Sequence, residues 1–153
     1  MVHISKLPPA TQTSMANLET PSFADRPFVA GPALSCRRVA VVSSAGLVRR
    51  GERPFVSGDT DFRVIPAETD PGDILMSHVS VNFDRTGFQR DLNVVLPLDR
   101  LRTMADNGDI GSIAANHYSF MGATDPRGMQ EHARTVAGRL KEDQVNAVLL
   151  TPV

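Results

Sequence analysis

The chain has 153 residues, of which 41% are hydrophobic and 22% charged, with a mean hydropathy of −0.14 and a formal net charge of −1 at pH 7. This composition is typical of one soluble globular domain, and no run approaches the ~20 apolar residues that a membrane span needs. A balanced charge gives no general attraction to nucleic acid or anionic lipid. We therefore expect neither a nucleic-acid nor a membrane partner.

The chain has one cysteine and four histidines. A single cysteine, Cys36, excludes an internal disulfide and any multi-cysteine metal site, and the histidines have no metal-ligand spacing, so we expect no metal. Cys36 precedes the first predicted strand, where a packing role is expected. The first residues lack the basic start and apolar run of a signal peptide, which predicts a cytoplasmic protein.

The first part of the chain changes character near residue 36. Residues 1–35 are rich in proline and predict an irregular arm, with at most a short helix at 15–18. Residues 36–153 predict the N-terminal part of a single α/β domain. Its first elements are a strand at 38–46 buried on both faces, a loop at 51–58, a short strand at 61–66 and a half-polar strand at 73–83.

The remaining elements alternate helix and strand. Helical spacing after Pro97 predicts a helix that ends at Asn107 and Gly108, and Asp125 with Pro126 predicts the start of a second helix reaching about Asp143. Residues 145–153 predict another buried strand. The pattern favours an α/β fold with a mainly parallel sheet flanked by helices, in flavodoxin/Rossmann-like layering, incomplete at the C-terminus. An edge strand closing a small sheet is the alternative.

Several polar residues lie within and just after the half-polar strand. His78, Asp84, Arg85, Arg90 and Asp91 lie close in sequence, and a histidine near carboxylates is suited to acid/base chemistry. Ion pairs within a loop and a structural histidine explain the same pattern.

Residues 117–122 lie between a predicted helix end and the next helix start, which predicts a loop. His117, Tyr118 and Met121, beside Gly122, could line a pocket there. Packing of Tyr118 into the core explains the sequence equally well. The small residues at 43–46 favour a tight turn over an anion site, because neither a dinucleotide fingerprint nor a phosphate-binding lysine is present.

A family resemblance is carried by two sequence blocks, DLNVVLPLDRL at 91–101 and HYSFMG at 117–122. Four shorter blocks support it in the same order along the chain, at 41–46, 62–66, 77–84 and 147–153. Together they resemble the selenoprotein B family of glycine/sarcosine/betaine reductase, which includes the selenocysteine subunit of D-proline reductase. The resemblance runs from about residue 37 to residue 153.

The resemblance implies reductive cleavage of the carbon–nitrogen bond of a small amino acid or N-methylated amine. It also implies a selenolate or thiolate that acts with a pyruvoyl-bearing partner subunit and a thiol reductant, in an oligomeric complex. A selenol ionises below neutrality, whereas an unperturbed thiol has a pKa of about 8.5. A neighbouring cysteine would then resolve the oxidised form.

In that family the redox residue directly follows the strand that here ends at Val153. We therefore expect no catalytic residue within the 153 residues. We expect a selenocysteine just after Val153, at a UGA codon read as a stop, with a cysteine or a true stop as the alternatives. Arg100 is a further family-like position. The candidate pocket residues are His78, Asp84, Arg85, Asp91, Asn93, His117, Tyr118, Met121 and Thr151.

Two other hypotheses remain at this point. The chain could be a non-catalytic α/β binding or assembly domain that retains only the scaffold. It could also be a half-domain like those of cofactor-independent racemases, although these need cysteines at strand ends and Cys36 is not at one.

Overall fold

A computed structural model describes residues 3–17, 22, 24, 28–81 and 83–153. In chain order its strands are β1 (Arg38–Ser43), β2 (Leu47–Arg49), β3 (Phe62–Pro66), β4 (Ile74–Met76), β5 (Ser112–Ile113), β6 (Asn116–Phe120) and β7 (Ala147–Thr151). Its α-helices are α1 (Pro9–Ala16), α2 (Thr86–Arg90), α3 (Leu98–Asp106) and α4 (Gln130–Glu142).

Strand β1 is the centre of the main sheet. It pairs in parallel with β5, β6 and β7, whereas β3 pairs antiparallel with β6. Strands β2 and β4 form a separate antiparallel pair. The α/β class predicted from the sequence is confirmed, and the sheet is mixed. The antiparallel pairs leave the flavodoxin-like layering unconfirmed.

One helix covers each face of β1. Val39 and Val41 of β1 pack in a cluster with Leu101 of α3. Ala40, which points to the opposite face, packs in a cluster with Leu140 of α4. Because alternate side chains of a strand face opposite sides, β1 is buried on both faces as predicted.

The two long helices begin and end where the sequence indicates. Helix α3 starts after Pro97, and Gly108 beyond its end has a positive φ of 76°. The side chain of Asp125 caps a 3₁₀ turn, Pro126–Met129, that leads into α4. A capping carboxylate satisfies backbone N–H groups that the first turn leaves without partners.

Three expectations about elements are wrong. The strand expected at 73–83 is only three residues long, and just beyond it the N–H of Ser77 donates to the carbonyl of Gly46 (2.8 Å) in the same register. Residues 116–120 form strand β6 rather than a loop. Strand β7 forms as predicted, but its central side chains are exposed rather than buried.

The arm at 1–35 contains more regular structure than expected. Helix α1 begins at Pro9, well before the predicted 15–18, and the 3₁₀ turn Leu34–Cys36 precedes β1. Leu18, within the predicted helix, lies outside the described residues, as does Asn82 of the predicted half-polar strand. Cys36 is exposed, so the expected packing role is wrong.

Candidate functional site

The carboxyl ends of β1, β6 and β7 meet around the turn at 43–46. We call residues 43–46, 120–122 and 151–153 the carboxyl edge. Ser44 joins its parts: its N–H donates to the carbonyl of Thr151 (3.1 Å), and its own carbonyl accepts from the N–H of Gly122 (2.9 Å). The Oγ of Ser44 accepts from the N–H of Val153 (2.9 Å). Ser44 therefore fixes the direction in which β7 ends.

Gly46 brings His78 and Met121 to this edge. Its φ of 65° lies in the left-handed region, and its N–H donates to the carbonyl of Phe120 (2.9 Å). A Cβ at position 46 would lie 3.0 Å from the Cα of His78 and 3.1 Å from the Cε of Met121. Glycine is therefore needed both for the backbone conformation and for the close approach.

His78 is held in one protonation form at the edge. It is 6% exposed, and its Nδ1 accepts from the N–H of Ser80 (3.2 Å), so the proton of the neutral ring is on Nε2. Burial lowers the pKa of His78, and the positive charge of Arg85 lowers it further. The Arg85 guanidinium donates to the carbonyl of His78 (2.6 Å) and fixes this backbone. The arrangement provides a neutral Nε2–H donor, which has no partner among the described residues.

His117 and Tyr118 point to opposite faces of the main sheet, inside the core. His117 is fully buried, and burial lowers its pKa to about 4, with a further lowering by Arg102. Tyr118 is 2% exposed and contacts the ring of Phe62 edge-on, with centroids 5.8 Å apart. Burial raises the pKa of Tyr118. For Tyr118, the structure places the ring in the core, which is the alternative that the sequence left open.

The acidic candidates lie in turns around α2. Asp84 Oδ1 accepts from the hydroxyl (2.7 Å) and the N–H (2.9 Å) of Thr86, and these bonds lower the pKa of Asp84. Asp91 accepts in the same way from the side chain and N–H of Asn93, which lower its pKa. The Arg100 guanidinium is 3.7 Å from Asp91. These groups stabilise local turns.

The structure thus divides the nine candidates. His78 and Met121 meet at Gly46, Arg85 binds the carbonyl of His78, and Thr151 lies at the same edge. The remaining five are in the core or in the turns, namely Asp84, Asp91, Asn93, His117 and Tyr118. Their assignment to a common pocket stays a prediction.

Sequence reasoning missed Ser44 and Gly46 as residues that build the edge. The signal was present, because small residues directly after a buried strand predicted the tight turn that the structure contains. The turn type could be predicted, but not the segments that contact it.

One surface depression lies outside the predicted site. It has a volume of about 500 Å³ and is lined by Arg49, Arg50, Gly51, Glu52, Thr69, Asp70 and Asp73. Arg50 and Asp73 pair across it (3.2 Å).

Within the described ranges there is no group of three or more His, Cys, Asp or Glu side chains that could hold a metal ion. In the same ranges, no helix is long and apolar enough to cross a membrane.

These features define the chain as an α/β domain with a mixed sheet whose strand ends converge at a serine–glycine turn. Residues 16–153 match the family model of glycine/sarcosine/betaine reductase selenoprotein B. The chain belongs to this family, as the sequence blocks predicted. No solved structure matches it significantly.

Three curated relatives carry reductase names. The chain is 35% identical over 116 residues to D-proline reductase subunit gamma of Acetoanaerobium sticklandii, covering 74% of this chain and 47% of the relative. It is 28% identical over 131 residues to glycine reductase complex component B subunit gamma of Symbiobacterium thermophilum, covering 77% and 29%.

The third relative is betaine reductase complex component B subunit beta of Peptoclostridium acidaminophilum, with 28% identity over 135 residues, covering 83% of this chain and 31% of the relative. In all three cases the match covers less than half of the relative. The chain therefore spans only part of the length of these relatives, from 29% to 47%.

Proposed function

We propose that this chain forms the scaffold of a B-type reductase subunit that reductively cleaves the carbon–nitrogen bond of a small amino acid or N-methylated amine. The proposal rests on membership of the reductase family and on the reductase names of the three relatives. It includes a pyruvoyl-bearing partner subunit, a thiol reductant and a cytoplasmic complex. It also includes a selenocysteine or cysteine that follows Val153.

One structural observation carries the proposal. Ser44 bonds to β7 on both sides of Pro152, through the carbonyl of Thr151 and the N–H of Val153. A residue next in sequence would begin at the carboxyl edge, beside the ends of β1 and β6. In open α/β sheets, ligands bind beyond the carboxyl ends of the strands. This edge is therefore a suitable place for a redox residue and its substrate.

The proposed reaction balances as a two-electron reduction. The carbon–nitrogen bond breaks, the carbon gains one hydrogen and the nitrogen gains the other. A selenol and a thiol supply these hydrogens with two electrons and form a selenenyl sulfide, which an external dithiol reduces again. A selenol suits this role because it is ionised at neutral pH, where most of an unperturbed thiol with a pKa of about 8.5 is protonated.

The residues at the carboxyl edge have distinct parts in the proposal. Ser44 positions the end of β7, and Gly46 allows His78 to approach. The His78 ring lies buried against the ring of Phe83, and its neutral Nε2–H has no partner among the described residues. Met121, fully buried, packs with Val48 and Phe55 beneath this edge.

The test is to produce the subunit with the residues encoded after the Val153 codon, together with its candidate pyruvoyl-bearing subunit. Amine release from glycine, sarcosine and betaine, and ring opening of D-proline to 5-aminovalerate, are then measured with and without a dithiol. We expect dithiol-dependent product from at least one of these four substrates.

A serine in place of the residue after Val153 is the matched control and should abolish turnover. A UAA or UAG codon after Val153, with no in-frame family sequence beyond it, would contradict the proposed redox residue. A folded, complete complex that reduces none of the four substrates would favour the non-catalytic scaffold instead.

A further inference from the structure

Strand β7 presents an apolar surface that no layer of the described structure covers. Val148 is 43% exposed, Leu149 40% and Leu150 67%. In contrast, the side chains of Val39, Ala40 and Val41 on the neighbouring strand are at most 6% exposed. We call the surface formed by Val148, Leu149 and Leu150 the β7 surface.

The β7 surface includes both faces of the sheet. In the parallel register, Val148 is paired with Ala40 and Leu149 with Val41. Ala40 belongs to the cluster under α4, and Val41 to the cluster that includes α3. Paired residues of neighbouring strands point to the same side. Neither helical layer therefore extends far enough to cover β7.

The outer edge of β7 is also open. Among the described residues β7 pairs only with β1, and its sequence, Ala-Val-Leu-Leu-Thr, contains no charge or proline. Free edges of sheets usually carry charged residues, proline or a bulge that prevent pairing with another strand. An uncharged apolar edge indicates that another strand binds here.

We propose that the β7 surface is the docking site for the part of a B-type reductase subunit that lies outside the match to this chain. That part adds a strand beside β7 and covers both faces of β7 with helices. It is large enough to do so, since the match covers 47% of D-proline reductase subunit gamma and smaller shares of the other two relatives. Apolar side chains such as Leu, Ile and Val on that part would contact Val148 and Leu150.

A second copy of this chain fits the surface less well. Two β7 strands related by a two-fold axis run antiparallel and cover each other's edges. Such pairing leaves the outward faces of Leu149 and Leu150 largely uncovered, because the helices of the second copy lie beyond its own β1. A βα unit supplies an edge strand and a covering helix together. The inference rests on family membership and does not depend on the redox chemistry.

The experiment compares two proteins by hydrogen–deuterium exchange. One is the 153-residue chain. The other is the full-length D-proline reductase subunit gamma in which the matching segment is replaced by the residues of this chain. We expect the amides of β7 to exchange at least 100-fold more slowly in the full-length chimera. Equal exchange rates in the two proteins would overturn the proposal.

Two variants of the chimera locate the contact. Leu150→Lys should abolish the added protection of β7, because the charge would be buried. Val56→Lys, at a position that is 52% exposed in a loop, is the matched control and should leave the protection unchanged. Loss of protection in both variants, or in neither, would count against the docking surface.

A second measurement serves if the chimera does not fold. The 153-residue chain is co-expressed with the part of D-proline reductase subunit gamma that lies outside the match, and this part carries an affinity tag. The molar ratio of the two chains after purification is then determined. A 1:1 complex that Leu150→Lys disrupts is expected. No co-purification, or a stable dimer of the 153-residue chain that protects β7 by itself, would overturn the proposal.

Discussion

The Nδ1 atom of His117 accepts a hydrogen bond from the backbone N–H of Val41 (3.0 Å), across a gap in the main sheet. Strand β1 pairs with β5 at Arg38 and Val39 and with β6 at Val42 and Ser43. Between these pairs the neighbouring chain is irregular, and the imidazole replaces a backbone acceptor. His117 is therefore a structural residue in this fold.

Substitution of His117 tests this bond. In His117→Leu the buried N–H of Val41 has no acceptor, which costs about 1–3 kcal/mol of unfolding free energy. In His117→Asn the side-chain oxygen can take the position of Nδ1, so we expect a smaller loss. Urea unfolding of the two variants at pH 7.5 measures the difference. Equal destabilisation by Leu and Asn would show that packing, rather than the hydrogen bond, determines the effect.

The buried imidazole also predicts a pH dependence of stability. Burial holds the pKa of His117 at about 4 in the folded chain, against about 6.5 when unfolded. Between these values the unfolded chain binds more protons than the folded chain. The stability that the neutral His117 contributes is therefore fully present above pH 6.5 and decreases as the pH falls toward 4. The contribution is about 3 kcal/mol at most.

Unfolding free energies measured at intervals from pH 4.5 to 7.5 test this expectation. His117→Asn is the appropriate comparison because it lacks a titrating group and keeps an acceptor for Val41. Its stability should change less over this range than that of the wild-type chain. Parallel pH profiles for the two proteins would rule out His117 as the source.

Gly46 allows a separate test of how the carboxyl edge is built. A Cβ on Gly46 would meet the backbone of His78 at 3.0 Å, whereas a Cβ on Gly51 would meet nothing within 4 Å. Both glycines have a positive φ, 65° and 87°. The cost of about 1–2 kcal/mol for a left-handed alanine is thus common to the two substitutions.

We expect Gly46→Ala to lower the unfolding free energy by roughly 1–3 kcal/mol more than Gly51→Ala, in line with other strained packing changes. In nuclear magnetic resonance spectra, the side-chain signals of His78 and Met121 should shift in Gly46→Ala alone. Equal destabilisation of the two variants, with unchanged His78 signals, would contradict the close approach.

The sequence predicted elements well where a local signal determines them. The capping side chain of Asp125 predicts the start of a helix, and Gly108 predicts the end of another. The apolar run of β1 is enough to predict a strand that is buried on both faces. The same holds for the tight turn at 43–46. Each of these features depends on residues close together in the chain.

Features that depend on distant residues could not be predicted in this way. Tyr118 reads as polar and aromatic, and only its position in β6, beside Phe62, shows that it is in the core. The burial of His117 likewise depends on its place in β6, where its ring accepts from the N–H of Val41 on the neighbouring strand. The role of Ser44 depends on the end of β7, more than 100 residues away.

Ser44→Ala removes the side-chain bond that holds the end of β7. Loss of this partly exposed bond, worth about 1 kcal/mol, should increase the exchange rate of the Val153 amide about five- to tenfold. The bond from the Ser44 N–H to Thr151 does not involve the side chain, so β7 itself should stay paired with β1. Hydrogen–deuterium exchange of the C-terminal peptide measures both effects. Ser57→Ala, at an exposed turn, is the control and should change neither. An unchanged exchange rate at Val153 in Ser44→Ala would show that Ser44 does not position the end of β7, and would remove the structural support for a redox residue at this edge.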